Sequence, residues 1–118
     1  MLVNLRSVPE PTFLIVVSEV LVGQDIAEAI RASVSAARLI IVTGFEAAVA
    51  ALTDVPALTA AFLQCRPDAL ENTPLMTAIT RCGGRFVLIG HSAEMAAAGA
   101  FEVLTMPFAS DDIVRIIG

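Results

Sequence analysis

The stretch Ala60-Ala61-Phe62-Leu63-Gln64-Cys65-Arg66-Pro67-Asp68 decides how this chain folds. Four apolar residues run unbroken, then the chain turns polar within a few positions and meets a proline. So short an apolar run, bounded by a turn signal, reads as a strand buried on both faces of a sheet. Its polar exit at Gln64-Cys65 then lies at the carboxyl end of that strand, where parallel sheets place their ligands.

Similar runs flank it on both sides. Phe13-Leu14-Ile15-Val16-Val17 is β-branched and continuous, and it stops at Ser18-Glu19. Leu39-Ile40-Ile41-Val42 stops at Thr43-Gly44. Phe86-Val87-Leu88-Ile89 leaves through Gly90-His91, and a short fifth run from Phe101 to Leu104 leaves through Thr105-Met106. Between the runs, apolar residues recur at helical spacing. They are Ile26, Ala29, Ile30, Ser33, Val34 and Ala37, then Phe45, Ala48, Val49 and Leu52, then Leu75, Ala78, Ile79 and Cys82. Gly83-Gly84 ends the last of these as turn chemistry, not as a phosphate loop, because it follows a helix and precedes a strand. Ser92 is placed to cap an alanine-rich helix running to Gly99. Ser110 is placed to cap a final helix with Asp111 and Asp112 in its first turn and Ile113, Ile116 and Ile117 facing inward. Residues 1–11, closed by Pro9 and Pro11, read as a flexible lead-in, and residues 12–118 as one domain.

Strands alternating with helices predict a parallel sheet covered on both faces. Right-handed crossovers narrow this to a doubly wound three-layer α/β/α sandwich of five strands. Composition agrees with a single domain: 118 residues, 57% hydrophobic, with alanine supplying much of the excess. The net charge of −5 and seven scattered arginines, with no lysine, argue against nucleic-acid binding, which needs clustered cations. The longest apolar region, residues 39–65, is interrupted by Glu46 and Asp54, so no membrane span is predicted. Glu10, Pro9 and Pro11 precede the first apolar run, which is not the layout of a secretion signal. With Cys65 and Cys82 as its two cysteines, the chain fits a reduced, cytoplasmic setting.

At the strand ends, Cys65 and His91 leave what should be neighbouring strands. A thiolate beside an imidazole can act as a nucleophile or, joined by Glu19, as a metal site. No acid is evident to orient His91, and a packed thiol beside a loop histidine is the plainer reading. Ser18 and Glu19 could hold a ligand hydroxyl or cation, against the simpler alternative of polar residues at a strand end. No metal and no cofactor is expected.

In its ordered set of runs and turns, the chain resembles the receiver domains of bacterial response regulators, the CheY-like variant of the flavodoxin-like fold. The matching stretches are Leu14 to Ile30, Gly44 to Leu52, and Val103-Leu104-Thr105-Met106-Pro107-Phe108. The resemblance implies a sheet of order 2-1-3-4-5. It also implies a phosphorylation pocket built from two acidic residues, an acceptor aspartate, a hydroxyl residue and a lysine. This chain has Ser18 and Glu19 at the acidic pair, or Val17 and Ser18 in the alternative register. It has Gln64, or Cys65, at the acceptor, Gly90 at the hydroxyl position and Met106 at the lysine. A hard Mg²⁺ ion is poorly served by one glutamate, and an amide is a much weaker nucleophile than a carboxylate.

The expectation is a degenerate receiver, not an enzyme, acting in signalling as a phosphorylation-independent protein-interaction module. The alternative is a small-ligand sensor or small enzyme working through Ser18, Glu19, Cys65 and His91. In receivers, the face made by the fourth helix, fifth strand and last helix is the usual output surface. Here that face would carry Ala96, Ala97, Ala98, Phe101 and Phe108, small and apolar enough for a protein partner or a second copy of the chain.

Overall fold

The structure, a computed structural model, describes residues 10–91, 93, 99 and 101–118. Strands β1 (Thr12–Val16), β2 (Arg38–Val42), β3 (Ala60–Leu63), β4 (Arg85–Gly90) and β5 (Glu102–Thr105) form one sheet of order β2-β1-β3-β4-β5. Every pairing in it is parallel. Helices α1 (Val20–Ser33), α2 (Phe45–Leu52), α3 (Pro67–Leu70), α4 (Pro74–Arg81) and α5 (Ser110–Ile117) connect or follow the strands. This is the expected α/β fold and strand order. None of the described helices is long and apolar enough to cross a membrane.

The unbroken apolar runs are explained by a core on each side of the sheet. Leu14, Val16, Ala61, Leu63 and Leu88 point to the α2–α4 side, where they meet Leu52, Leu75 and Ile79. The alternate residues Phe13, Ile15, Phe62, Val87 and Ile89 point to the α1–α5 side, where they meet Ile26, Ile30 and Ile113. All four residues of β3 are buried, because the strand lies mid-sheet with a helical layer over each face. At Gly23 an added Cβ would stand 3.0 Å from side-chain methyls of both Ile41 and Val17, so the missing side chain lets α1 lie close on the sheet.

Several local expectations are revised. The first helix ends at Ser33 with Val34 as its cap residue, and Ala37 lies in the turn into β2. A helical turn the periodicity did not single out, α3, is nucleated by Pro67 at its first position. Thr73 caps α4, its hydroxyl accepting from the Met76 N–H at 3.2 Å. Gly83 closes that helix at φ 75°, a conformation that glycine adopts freely. Ser110 is not a cap but the first residue of α5. The Asp112 carboxylate instead accepts from the Ala109 N–H at 2.8 Å, satisfying a donor at the helix start. The fifth strand begins at Glu102, one residue beyond Phe101. Ser92 and the alanine-rich helix predicted over Ala93 to Ala98, with Ala96, Ala97 and Ala98, fall outside the described residues apart from Ala93. So do residues 1–9 of the lead-in.

Candidate functional site

The exits of β1, β3, β4 and β5 converge at one end of the sheet. There the ladder runs one residue past the strands: the Gln64 N–H donates to the Val16 carbonyl at 2.8 Å, and the Met106 N–H to the Gly90 carbonyl at 2.9 Å. The Met106–Pro107 peptide bond is cis. Between these exits lies an open crevice of about 340 Å³, lined by Ser18, Glu19, Gln64, Cys65, Arg66, Ile89, Gly90, His91 and Met106. Topology alone brings the seven sequence-predicted residues Ser18, Glu19, Gln64, Cys65, Gly90, His91 and Met106 to one place. Val17 is buried in the core at 1% exposure, so Ser18 and Glu19 are the pair that faces the crevice.

Gln64 does more than occupy a strand end. Its Oε1 accepts from the Ser18 backbone N–H at 2.9 Å and from the Ser18 hydroxyl at 3.2 Å. A backbone N–H can only donate, which settles which end of the amide faces Ser18. The Nε2 group is turned the other way, 3.9 Å from the Met106 sulfur, a weak acceptor. One side chain thereby clasps the exit of β1 to that of β3 and abuts the exit of β5. Sequence reasoning missed this role. The available signal was that an amide carries an acceptor and a donor, matching a backbone N–H on one side and a thioether on the other.

The electrostatics of the crevice are sparse. Among the described residues Glu19 is the one carboxylate in its lining, and it is exposed. Arg66 had no role assigned from sequence. It stands at the rim and pairs with Asp68, Nε to Oδ1, at 3.3 Å, with both side chains largely in solvent. Cys65 is half-buried, and its thiol is pushed up to about 11, first by burial and then by the Asp68 carboxylate. Such a thiol keeps its proton near pH 7, whereas a nucleophile or metal ligand must be the thiolate. That shift weighs against Cys65 as a nucleophile or metal ligand beside His91. No group of three His, Cys, Asp or Glu side chains placed to hold a metal ion occurs among the described residues. Cys82, away from the crevice, is buried with its Sγ 3.4 Å from the Val55 carbonyl.

The two aromatics assigned to an interface pack on opposite sides of the sheet. Phe101 meets Phe86 edge-to-face, ring centroids 5.7 Å apart, against the α2–α4 core, while Phe108 packs on the α1–α5 core. Nearby, Arg85 forks onto Glu102 at 3.0 and 2.6 Å and donates to the Ile116 carbonyl at 2.8 Å. This latch ties β4, β5 and α5 together.

No protein-family model matches the chain, and no curated protein does. Solved structures do resemble it. The response regulator receiver protein from Sinorhizobium medicae aligns with a TM-score of 0.67 at 18% identity, over 94% of this chain and 97% of its own. The pilus assembly protein CpaE from Caulobacter crescentus aligns with a TM-score of 0.64 at 21% identity, over 93% of this chain and 92% of the solved one. The fold is thus CheY-like along nearly the whole chain.

Proposed function

We propose that this chain is a degenerate receiver domain, a non-enzymatic protein-interaction module that acts in the cytoplasm without aspartyl phosphorylation. The carrying observation is the Gln64 amide, held by two hydrogen bonds from Ser18 where the receiver pattern has its acceptor carboxylate. Around it the pattern's cation, hydroxyl and second acid are also replaced, by Met106, Gly90 and Ser18. Phosphoryl transfer to such a pocket would need Mg²⁺ held by carboxylates and a nucleophile able to attack phosphorus. Glu19 alone supplies neither arrangement.

The two structural neighbours support a regulatory setting. One is described as a response regulator receiver protein and the other as a pilus assembly protein, so the fold occurs both in signalling and in an assembly. A domain with a receiver's shape and without its chemistry keeps its surfaces as its working parts. The test is incubation with acetyl phosphate and Mg²⁺ followed by intact-mass measurement. The expected spectrum shows the unmodified mass alone; a phosphoryl adduct on this chain refutes the proposal.

A further inference from the structure

The outer edge of β2 is the least protected part of the described sheet. Among the described residues β2 ladders only to β1, and its other side carries backbone donors and acceptors that none of them pairs with. Its sequence, Arg-Leu-Ile-Ile-Val, carries one charge and no proline or lysine, the usual devices that keep sheet edges apart. None of its five residues is fully buried, although four are aliphatic, and Ile41 is 37% exposed. Gly23 of α1 lies against Ile41, and Val20, one helical turn earlier on the same face, is 53% exposed. An open hydrogen-bonding edge is thus bordered by apolar side chains.

We propose that a second copy of this chain covers this edge, β2 pairing antiparallel with β2 of its partner about a two-fold axis normal to the sheet, centred on Ile40. Such an axis keeps each face of the sheet on its own side, so the side chains that would meet can be read from strand alternation. On the α1 face, Ile41 of one copy stands opposite Leu39 of the other, an apolar cross-strand pair. On the α2 face, Ile40 meets Ile40, and Arg38 comes to the strand end from which the partner copy's α2 departs. The first turn of α2 carries Glu46, which is exposed. Among the described residues neither Arg38 nor Glu46 forms an ion pair within the monomer, and the two-fold sets each Arg38 at the end of the partner copy's β2 that leads, through Thr43 and Gly44, into the helix carrying Glu46. A parallel pairing would set the two Arg38 side chains side by side. The charges therefore favour the antiparallel arrangement and a copy of this chain as the occupant.

The strand-end crevice takes no part in this contact, so this inference and the proposed function stand or fall separately. Sedimentation equilibrium of the full chain across a wide concentration range should give a monomer–dimer equilibrium. Arg38→Glu should weaken the dimer roughly tenfold, since two exposed pairs are reversed together. Adding Glu46→Arg should restore it, and Ile41→Lys, with folding checked by circular dichroism, should leave a monomer. Should Ile41→Lys not fold, the charge-reversal pair, on exposed positions, decides alone. A monomeric wild type, a dimer unchanged by the substitutions, or a double variant no tighter than Arg38→Glu overturns the pairing.

Discussion

Near pH 7 a thiol with the Cys65 value of about 11 is ionised about a hundredfold less than one at the ordinary 9.0. A thiolate of higher pKa is intrinsically more nucleophilic, and a Brønsted slope of about 0.4–0.5 recovers a factor of roughly six to ten. Exchange with an aromatic disulfide at pH 7 should therefore run at least about tenfold slower at Cys65 than at the cysteine of an unstructured peptide spanning residues 60–68. Half-burial of the sulfur slows it further. The assay follows mixed-disulfide formation on the native chain by peptide mapping, which separates Cys65 from the buried Cys82. The logarithm of the Cys65 rate should keep rising with pH well beyond 9. Asp68→Asn removes the smaller of the two causes, so it should lower the thiol's pKa and speed the reaction modestly. The sign for stability follows from the same shift. The folded chain holds the Cys65 proton to higher pH than the unfolded chain, so this contribution is complete below about 9.0 and is lost as pH rises towards about 11. A rate plateau below pH 8, or labelling faster than the peptide at pH 7, refutes this account and restores Cys65 as a nucleophile.

Two further substitutions probe the strand-end contacts. Gln64→Leu removes the acceptor for both Ser18 bonds and should cost about 1 kcal/mol in urea unfolding, the modest figure reflecting how readily water replaces exposed hydrogen bonds. Gln64→Glu keeps the acceptor and should retain most of that stability; equal stability of the Leu variant and wild type would show that the clasp contributes nothing. Arg85→Ala opens the fork onto Glu102 and the bond to the Ile116 carbonyl. With both charged side chains more than two-fifths exposed, the loss should stay within about 1 kcal/mol and shrink at high salt, and a loss indifferent to salt would contradict the ionic account.

The layered fold was legible because the central strands β1 and β3 are buried on both faces. Runs such as Phe13 to Val17 have no polar alternation to confuse with a helix, and Gly83-Gly84 marks the turn back into the sheet. The crevice was legible for a topological reason: once the strands are parallel and numbered, their exits must share one end. The termini of elements were harder. Ser110 has the chemistry of a cap, but the Asp112 carboxylate two residues later satisfies the Ala109 N–H, and the helix starts one residue earlier than a serine cap allows. Phe101 and Phe108, seven positions apart in sequence, pack on opposite sides of the sheet because β5 lies between them. The role of Gln64 as a clasp depends on a contact 46 residues away, which no local pattern encodes. Arg85 reaches Glu102 for the same reason, across two adjacent strands.

The two-sided core has a consequence for how such a chain can change. Phe62 and Leu63 are joined by a peptide bond, yet one belongs with Ile26 and Ile113 and the other with Leu52 and Ile79. Covalent neighbours here are energetic strangers, and residues fifty positions apart are partners. Inheritance acts on the linear text, while packing is judged in two separate rooms divided by a wall of backbone. A lineage can refurnish the room under α1 and α5 while leaving the one under α2 and α4 as it was. Divergence in such a chain need not track sequence position: one surface can be remade for a new companion while the opposite one keeps its ancestral form.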